Sequence, residues 1–339
     1  MKFVSYRKDG QDQLGFLHGD TVYDTDAAHP ELPGNMEFFL QVWEEALPFA
    51  QQAFKVTDEE GFVRPRGVPV AEVDLLAPVP FPASLRDGYG FRQHVETARR
   101  NRGAAMIPEY DLFPVFYFSN HHAIRGPGPI HCMADHFRQL DFELEIAVVI
   151  AKAGRNIRAE EADEYIGGFM IMNDFSARQL QSEEMKLNLG PAKGKDFATA
   201  FGPWLVTPDE LEAYRIPPPE GHRGLAYRLE MTCKVNGVQI SKGNLSDLQW
   251  TFAELIERCS YGADLVPGDV IGSGTVGTGC FLEINGTASR ENAGHTPQWL
   301  QAGDEVVLEV EGLGSLRNVI QAEETEDPDY SLLRLKKNA

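Results

Sequence analysis

Leu140-Asp141-Phe142-Glu143-Leu144-Glu145 runs straight into Ile146-Ala147-Val148-Val149-Ile150. Side chains on a β-strand alternate between faces with a period of two, and this stretch reads as such a strand. Asp141, Glu143 and Glu145 then share one face, with Phe142, Leu144 and Ile146 on the other. Carboxylates two residues apart on one face repel, and a buried carboxylate is costly unless positive charge compensates it. The apolar run points to burial, so the acidic face asks for a cation. A solvated edge strand with its acids in water accounts for the same letters, and the strand alone leaves both readings open.

The surrounding chain bounds the answer. Its 339 residues, 42% hydrophobic and 24% charged, suit a soluble globular protein of one large or two smaller domains. No apolar run approaches the ~20 residues that span a bilayer. The start, Met1-Lys2-Phe3-Val4-Ser5-Tyr6-Arg7-Lys8-Asp9, lacks a signal-peptide core, so a cytoplasmic location is expected. A net charge of −20 repels phosphate backbones and anionic lipid, which argues against nucleic-acid and membrane partners. Cys132, Cys233, Cys259 and Cys280 show no zinc or redox spacing and read as buried thiols in a reducing compartment.

Short β-like runs at residues 2–7, 14–17 and 21–23 are separated by Lys8-Asp9-Gly10 and His18-Gly19-Asp20 turns. Residues 35–55 have a helical pattern that Pro48 should break, and a proline-rich linker runs from Pro65 to Pro82. Residues 86–101 read as a polar helix opening near Asp87, and residues 105–137 as loop with a short aromatic strand at 115–118. Residues 159–165 look helical and 167–172 like a second buried strand, ending at Asn173-Asp174. Asn236-Gly237 is a hairpin signal. Residues 247–259 read as an amphipathic helix, with short strands at 270–273, 281–284, 305–310 and 316–320. Strands and hairpins dominate, which predicts a mixed α/β fold with largely antiparallel sheets. The expected division is an N-terminal module and linker over 1–80, a catalytic domain over 81–325 and a tail over 326–339.

Two further carboxylates accompany the acidic strand. Asp174 ends a buried strand in Met172-Asn173-Asp174-Phe175-Ser176-Ala177-Arg178-Gln179-Leu180-Gln181, and Asp87 lies in Leu85-Arg86-Asp87-Gly88-Tyr89-Gly90-Phe91-Arg92-Gln93-His94. Oxygen-rich sites suit hard cations such as Mg²⁺, Ca²⁺ or Mn²⁺. Either aspartate could equally be a helix N-cap.

The order of these segments resembles the fumarylacetoacetate hydrolase family. Asp87 with His94, Glu143-x-Glu145, Met172-Asn173-Asp174-x-Ser176-Ala177-Arg178 with Gln181, Gly194-Lys195-x-Phe197, and Gly274-Thr275 with Glu283 follow its pattern over residues 80–320. The resemblance implies a rolled, mainly antiparallel sheet, a homodimer, and a role such as aromatic catabolism. It implies that Asp87, Glu143, Glu145 and Asp174 ligate Mg²⁺ or Ca²⁺, with Mn²⁺ as another candidate. It implies a water-activating dyad of His94 and Glu283, chemistry that imidazole and carboxylate suit. Lys195 and Arg178 become candidates for neutralising substrate or oxyanion charge, with Arg178 alternatively the structural partner of a ligand carboxylate. Gln181, Tyr117 and Thr275 are candidate substrate contacts, Tyr117 alternatively core and Thr275 alternatively a turn residue. The expected activity is metal-dependent hydrolysis of a C–C bond in an acylpyruvate or similar diketo acid. Decarboxylation or tautomerisation of an oxo acid such as oxaloacetate is the alternative.

Met185 departs from the family, standing where its fumarylacetoacetate enzymes carry a substrate-contacting tyrosine. Residues 88–103, with Arg99, Arg100 and Arg102, could form a lid or simply a solvated helix. Gly272-Ser273-Gly274-Thr275-Val276-Gly277 fits a dinucleotide-binding pattern, but Gly279-Cys280-Phe281-Leu282-Glu283-Ile284 beyond it reads as loop and strand, whereas pyrophosphate needs a helix start.

Overall fold

The computed structural model describes residues 1–56, 67–326 and 330–332. Pro65 at the start of the linker and most of the tail therefore lie outside the described residues. Strands dominate, in a 12-stranded sheet and a 5-stranded sheet with three two-stranded ribbons. Pairing is mostly antiparallel, with parallel exceptions such as Asp269–Gly272 beside Ser84–Gly88.

The acidic stretch sits at the centre of the larger sheet. Leu144–Ile150 pairs antiparallel with Ile166–Asp174, Glu145 opposite Met172, and on its other edge with Asp269–Gly272. The same register continues upstream, Leu140–Asp141 pairing Ser176–Ala177, but the ladder is open at Phe142 and Glu143. Alternation sorts the strand's two faces between two cores. Leu144, Ile146, Val148 and Ile150 pack in the cluster that includes Met231, Leu308 and Ile320 of the smaller sheet. Ala147 and Val149 join Phe3, Phe39 and Trp43 of the N-terminal segment. Those N-terminal strands extend the same sheet, Lys2–Lys8 pairing Thr199–Val206.

Local chemistry explains several elements. Asn236 and Gly237 take φ of 50° and 77°, the left-handed conformation that a two-residue hairpin turn requires. Thr251 and Glu254 form a capping box that opens the Phe252–Ser260 helix, later than the expected start at 247. Residues expected to be helical at 159–165 form a 3₁₀ turn, Ala162–Tyr165.

Three expectations are corrected. Asp87 lies in a strand, Ser84–Gly88, and the helix begins only at Arg92, because pairing with Asp269–Gly272 claims the backbone. Pro48 lies inside the Trp43–Val56 helix instead of ending it. Ala46, Ala50 and Ala53 bury one face there, and that packing outweighs the backbone bond a proline forfeits. Residues 281–284 are not a strand but the first turn of the Phe281–Glu291 helix.

Candidate metal and catalytic site

Asp87, Glu145 and Asp174 fall on one face at one end of the sheet, the face that carries Leu85, Ala147 and Met172. The Glu145 and Asp174 strands are neighbours, and Asp269–Gly272 lies between the Glu145 and Asp87 strands. Glu143 joins them from the open rung, its backbone N–H donating to Asn173 Oδ1 at 3.0 Å. All four carboxylates are buried. One oxygen each of Asp87, Glu143 and Glu145 lie within 4.8 Å of one another.

Protein cations hold part of this charge. Lys195 Nζ donates to Glu143 and, at 2.7 Å, to Asp174. Arg178 Nη2 donates to Glu143 Oε1 at 2.7 Å, Nε to Asp141 Oδ2 at 2.8 Å, and Nη1 to Gln181 Oε1 at 3.0 Å. The Arg178 guanidinium is thus paired with two carboxylates of the protein and with Gln181. Of the four carboxylates Asp174 has the most partners, accepting from Tyr117 Oη and from Thr199 Oγ1 at 3.2 Å besides Lys195. It stands outside the converging set of three. Thr275 Oγ1 donates to Glu145 Oε1 at 3.1 Å, and Gly274 N–H to Asp87 Oδ1 at 3.1 Å.

The pKa pattern follows from this arrangement. Burial, then the neighbouring Asp174, pushes Asp87 up to about 7. Burial and the nearby Asp87 hold Glu145 well above the usual carboxylate range. Burial acts the same way on Glu143, but Lys195 and Arg178 overcome it and draw Glu143 down to about 2. Burial, with Asp174 beside it, raises the Tyr117 phenol far above its ordinary value.

Glu145 Oε2 is buried without any hydrogen-bond partner. Such an orphaned oxygen, beside two convergent carboxylates, fits a hard divalent cation bound by oxygen. Among the described residues six buried acids, Asp87, Asp141, Glu143, Glu145, Asp174 and Glu283, meet only Lys195 and Arg178 as fixed cations in this network. The charge balance also asks for an added positive ion.

His94, on the Arg92–Asn101 helix, lies at the edge of this cluster. Its Nδ1 is 2.7 Å from Glu283 Oε2, both side chains buried. The two helices are tied by Asn101, whose amide donates to the Glu283 carbonyl at 3.0 Å and to Thr287 Oγ1 at 3.1 Å. Of residues 88–103, Arg92–Asn101 form this helix, docked against the one that carries Glu283. Its arginines turn to local acceptors, Arg99 to the Ala105 carbonyl and Arg102 to the Ala98 carbonyl.

Two residues carry more of the site than their sequence pattern suggests. Asp141 accepts from the backbone N–H of Phe281 at 2.7 Å and of Leu282 at 3.0 Å, fixing the helix that carries Glu283. Those contacts also correct the reading of the glycine motif: a helix does come after it, but Asp141 occupies its first N–H groups. Asn173, which places Glu143 through its Oδ1, stands in the sequence only as one letter of a longer motif. No signal in the sequence pairs Asp141 with residues so distant.

The sequence profile described as fumarylacetoacetate (FAA) hydrolase C-terminal matches residues 84–321. The chain belongs to the fumarylacetoacetate hydrolase family. It is 30% identical to a fumarylacetoacetase of Oryza sativa subsp. japonica over 87% of this chain and 80% of that one. It is 32% identical to the oxaloacetate tautomerase YisK of Bacillus subtilis (strain 168), over 81% of each. In fold it is similar to maleylpyruvate hydrolase from Sphingobium sp. SYK-6, whose crystal structure is a complex with manganese(II) ion and pyruvate. That match has a TM-score of 0.67 at 21% identity and covers 96% of this chain and 100% of the other. Relatives in this family include hydrolases and tautomerases, and the chain is an enzyme of that family. Among the described residues no helix is long and apolar enough to cross a membrane.

Proposed function

We propose that this enzyme hydrolyses a C–C bond in a small diketo acid of the acylpyruvate type, with a divalent cation held by Asp87, Glu143 and Glu145 and with Asp174 at its margin. The observation that carries this reading is the His94–Glu283 pair, 2.7 Å apart and buried, with a His94 ring nitrogen within 4.8 Å of a Glu143 oxygen. A general base and a cation site then meet at one carboxylate. The manganese and pyruvate of the maleylpyruvate hydrolase structure support a divalent ion beside a 2-oxo acid. Mg²⁺, Mn²⁺ and Ca²⁺ all suit an oxygen-only donor set.

Bound there, the cation supplies Lewis-acid polarisation of the substrate's oxo oxygens. Glu283 holds the His94 Nδ1 proton, which leaves Nε2 to take a proton from water. The water oxygen adds to the carbonyl carbon next to the scissile bond. That bond breaks with its electron pair on the departing carbon, which His94 reprotonates. Lys195 favours the ionised forms of Glu143 and Asp174, and Tyr117 and Thr275 hold Asp174 and Glu145 by hydrogen bonds. A homodimer working on a soluble oxo acid is the assembly we expect.

A second reading, tautomerisation of an oxo acid such as oxaloacetate, is favoured by the 32% identity to an oxaloacetate tautomerase. It needs proton transfer at carbon but no hydrolytic water. Acylpyruvates and oxaloacetate should be assayed with Mg²⁺, Mn²⁺ and Ca²⁺ in ¹⁸O-labelled water. Label in the carboxylate product, lost in His94→Ala, supports hydrolysis. Enol–keto interconversion without cleavage of any diketo acid would sink it in favour of the tautomerase.

A further inference from the structure

Cys280 immediately precedes the Phe281–Glu291 helix, is fully buried, and has no part in the chemistry above. Its sulfur, a ring nitrogen of His94 and a carboxylate oxygen of Glu143 lie within 4.8 Å of one another, all on buried residues. Sulfur, nitrogen and oxygen converging in this way suit zinc, unlike the all-oxygen set of Asp87, Glu143 and Glu145. A second feature points the same way. His94 Nδ1 is engaged by Glu283, which leaves Nε2 as the free donor, and a carboxylate behind an imidazole is the usual support of a zinc-bound histidine. The backbone N–H of Glu283 also points at the Cys280 sulfur. Burial keeps that thiol protonated in the metal-free protein, so Cys280 is not a nucleophile there.

We propose that His94, Glu143 and Cys280, with Glu283 behind the imidazole, form a second site, for a thiophilic divalent ion such as Zn²⁺. The incoming ion displaces the thiol proton to solvent and forms bonds to Cys280 Sγ, His94 Nε2 and a Glu143 oxygen, leaving room for water as a fourth ligand. It shares Glu143 with the oxygen site and takes the nitrogen on which His94 would accept a proton. Zinc is thus an off-switch for an enzyme that hard cations turn on. The inhibition rests on the reaction proposed above, whereas the binding does not.

The test is titration of metal-free protein with Co²⁺ and Zn²⁺. Co²⁺ should give a near-ultraviolet thiolate charge-transfer band in the wild type that Cys280→Ser and Cys280→Ala lose. His94→Asn should keep the band but bind more weakly. Zn²⁺ affinity should fall in Cys280→Ala by more than the roughly 10–100-fold that loss of an outer partner costs. Retained thermal stabilisation of that variant by Mg²⁺ confirms an intact fold and oxygen site. A wild-type cobalt spectrum without the thiolate band, or zinc affinity unchanged in both cysteine variants, overturns the proposal. In turnover, Zn²⁺ should inhibit the wild type and spare Cys280→Ala. Cysteine-dependent zinc binding with no diketo-acid turnover supports the site while counting against the reaction.

Discussion

Asp141 and Glu143 both touch Arg178, yet each has a separate second task. Asp141 holds two N–H groups of the helix bearing Glu283, whereas Glu143 faces Lys195 and the converging carboxylates. Asp141→Asn should therefore keep divalent-ion affinity but cost roughly 2–4 kcal/mol of stability, because it breaks a buried charged network. Glu143→Gln should abolish the stabilisation that Mg²⁺ confers. Urea unfolding with and without Mg²⁺ separates the two, and equal loss of ion binding would place Asp141 in the wrong role. The acids also set a pH dependence. Asp87, raised from 3.8 to about 7, binds its proton in the folded state more tightly than in the unfolded state. Its contribution is full below about pH 4 and is lost as pH rises toward 7. Glu145 shifts the same way, while Glu143, lowered to about 2, contributes stability above its unfolded value near 4.5 and loses it in acid. Metal-free protein should thus lose melting temperature between about pH 4 and 7, and Mg²⁺ should restore it most at the upper end. A metal-free melting temperature that rises across that window would contradict the burial of these acids without a cation.

Among the elements, the Asp269–Gly272 strand positions the site although it supplies no ligand. A methyl group on Gly272 would lie 2.4 Å from Asp87 Oδ1 and 2.9 Å from Met172 Sδ, so glycine is what lets the carboxylate fold over the strand. Gly272→Ala should weaken divalent-ion binding about tenfold, equivalent to ~1.4 kcal/mol, in a calorimetric titration. Unchanged affinity would mean that the strand yields instead of Asp87. The neighbouring acidic strand was legible because period-two alternation forces its acids and its aliphatic residues to opposite faces. The strand of Asp87 was not, since Arg86-Asp87-Gly88 is polar and becomes a strand only by pairing with residues far along the chain. The Glu283 helix was hidden for a related reason. Phe281-Leu282-Glu283-Ile284 has strand-like letters, and Asn285, Gly286 and Thr287 are weak helix formers, so Asp141 and the Arg92–Asn101 helix supply what local propensity lacks. The dyad could therefore be expected from family likeness while its scaffold could not.

At the scale of the molecule, residues expected to form an N-terminal module are built into the catalytic sheet. Lys2–Lys8 pairs with Thr199–Val206, the strand next to the one that ends in Asp174. Phe3, Phe39, Leu40 and Trp43 cover the face formed by Ala147, Val149, Met170, Met172 and Phe201. That face leads directly into Glu145 and Asp174, which stand two residues beyond Ala147 and Met172. Removing the first segment would bare this apolar surface and leave Thr199–Val206 with an open edge, a combination that favours aggregation over folding. Residues 81–325 expressed alone should be insoluble, or should lack both a cooperative thermal transition and any response to Mg²⁺. Adding residues 1–80 as a separate chain should recover the transition if the two segments share one core. A soluble 81–325 fragment with full Mg²⁺-linked stabilisation would instead make the N-terminal segment an independent module, and the packing of Phe3, Phe39 and Trp43 on the sheet would then contribute little to holding the carboxylates in place.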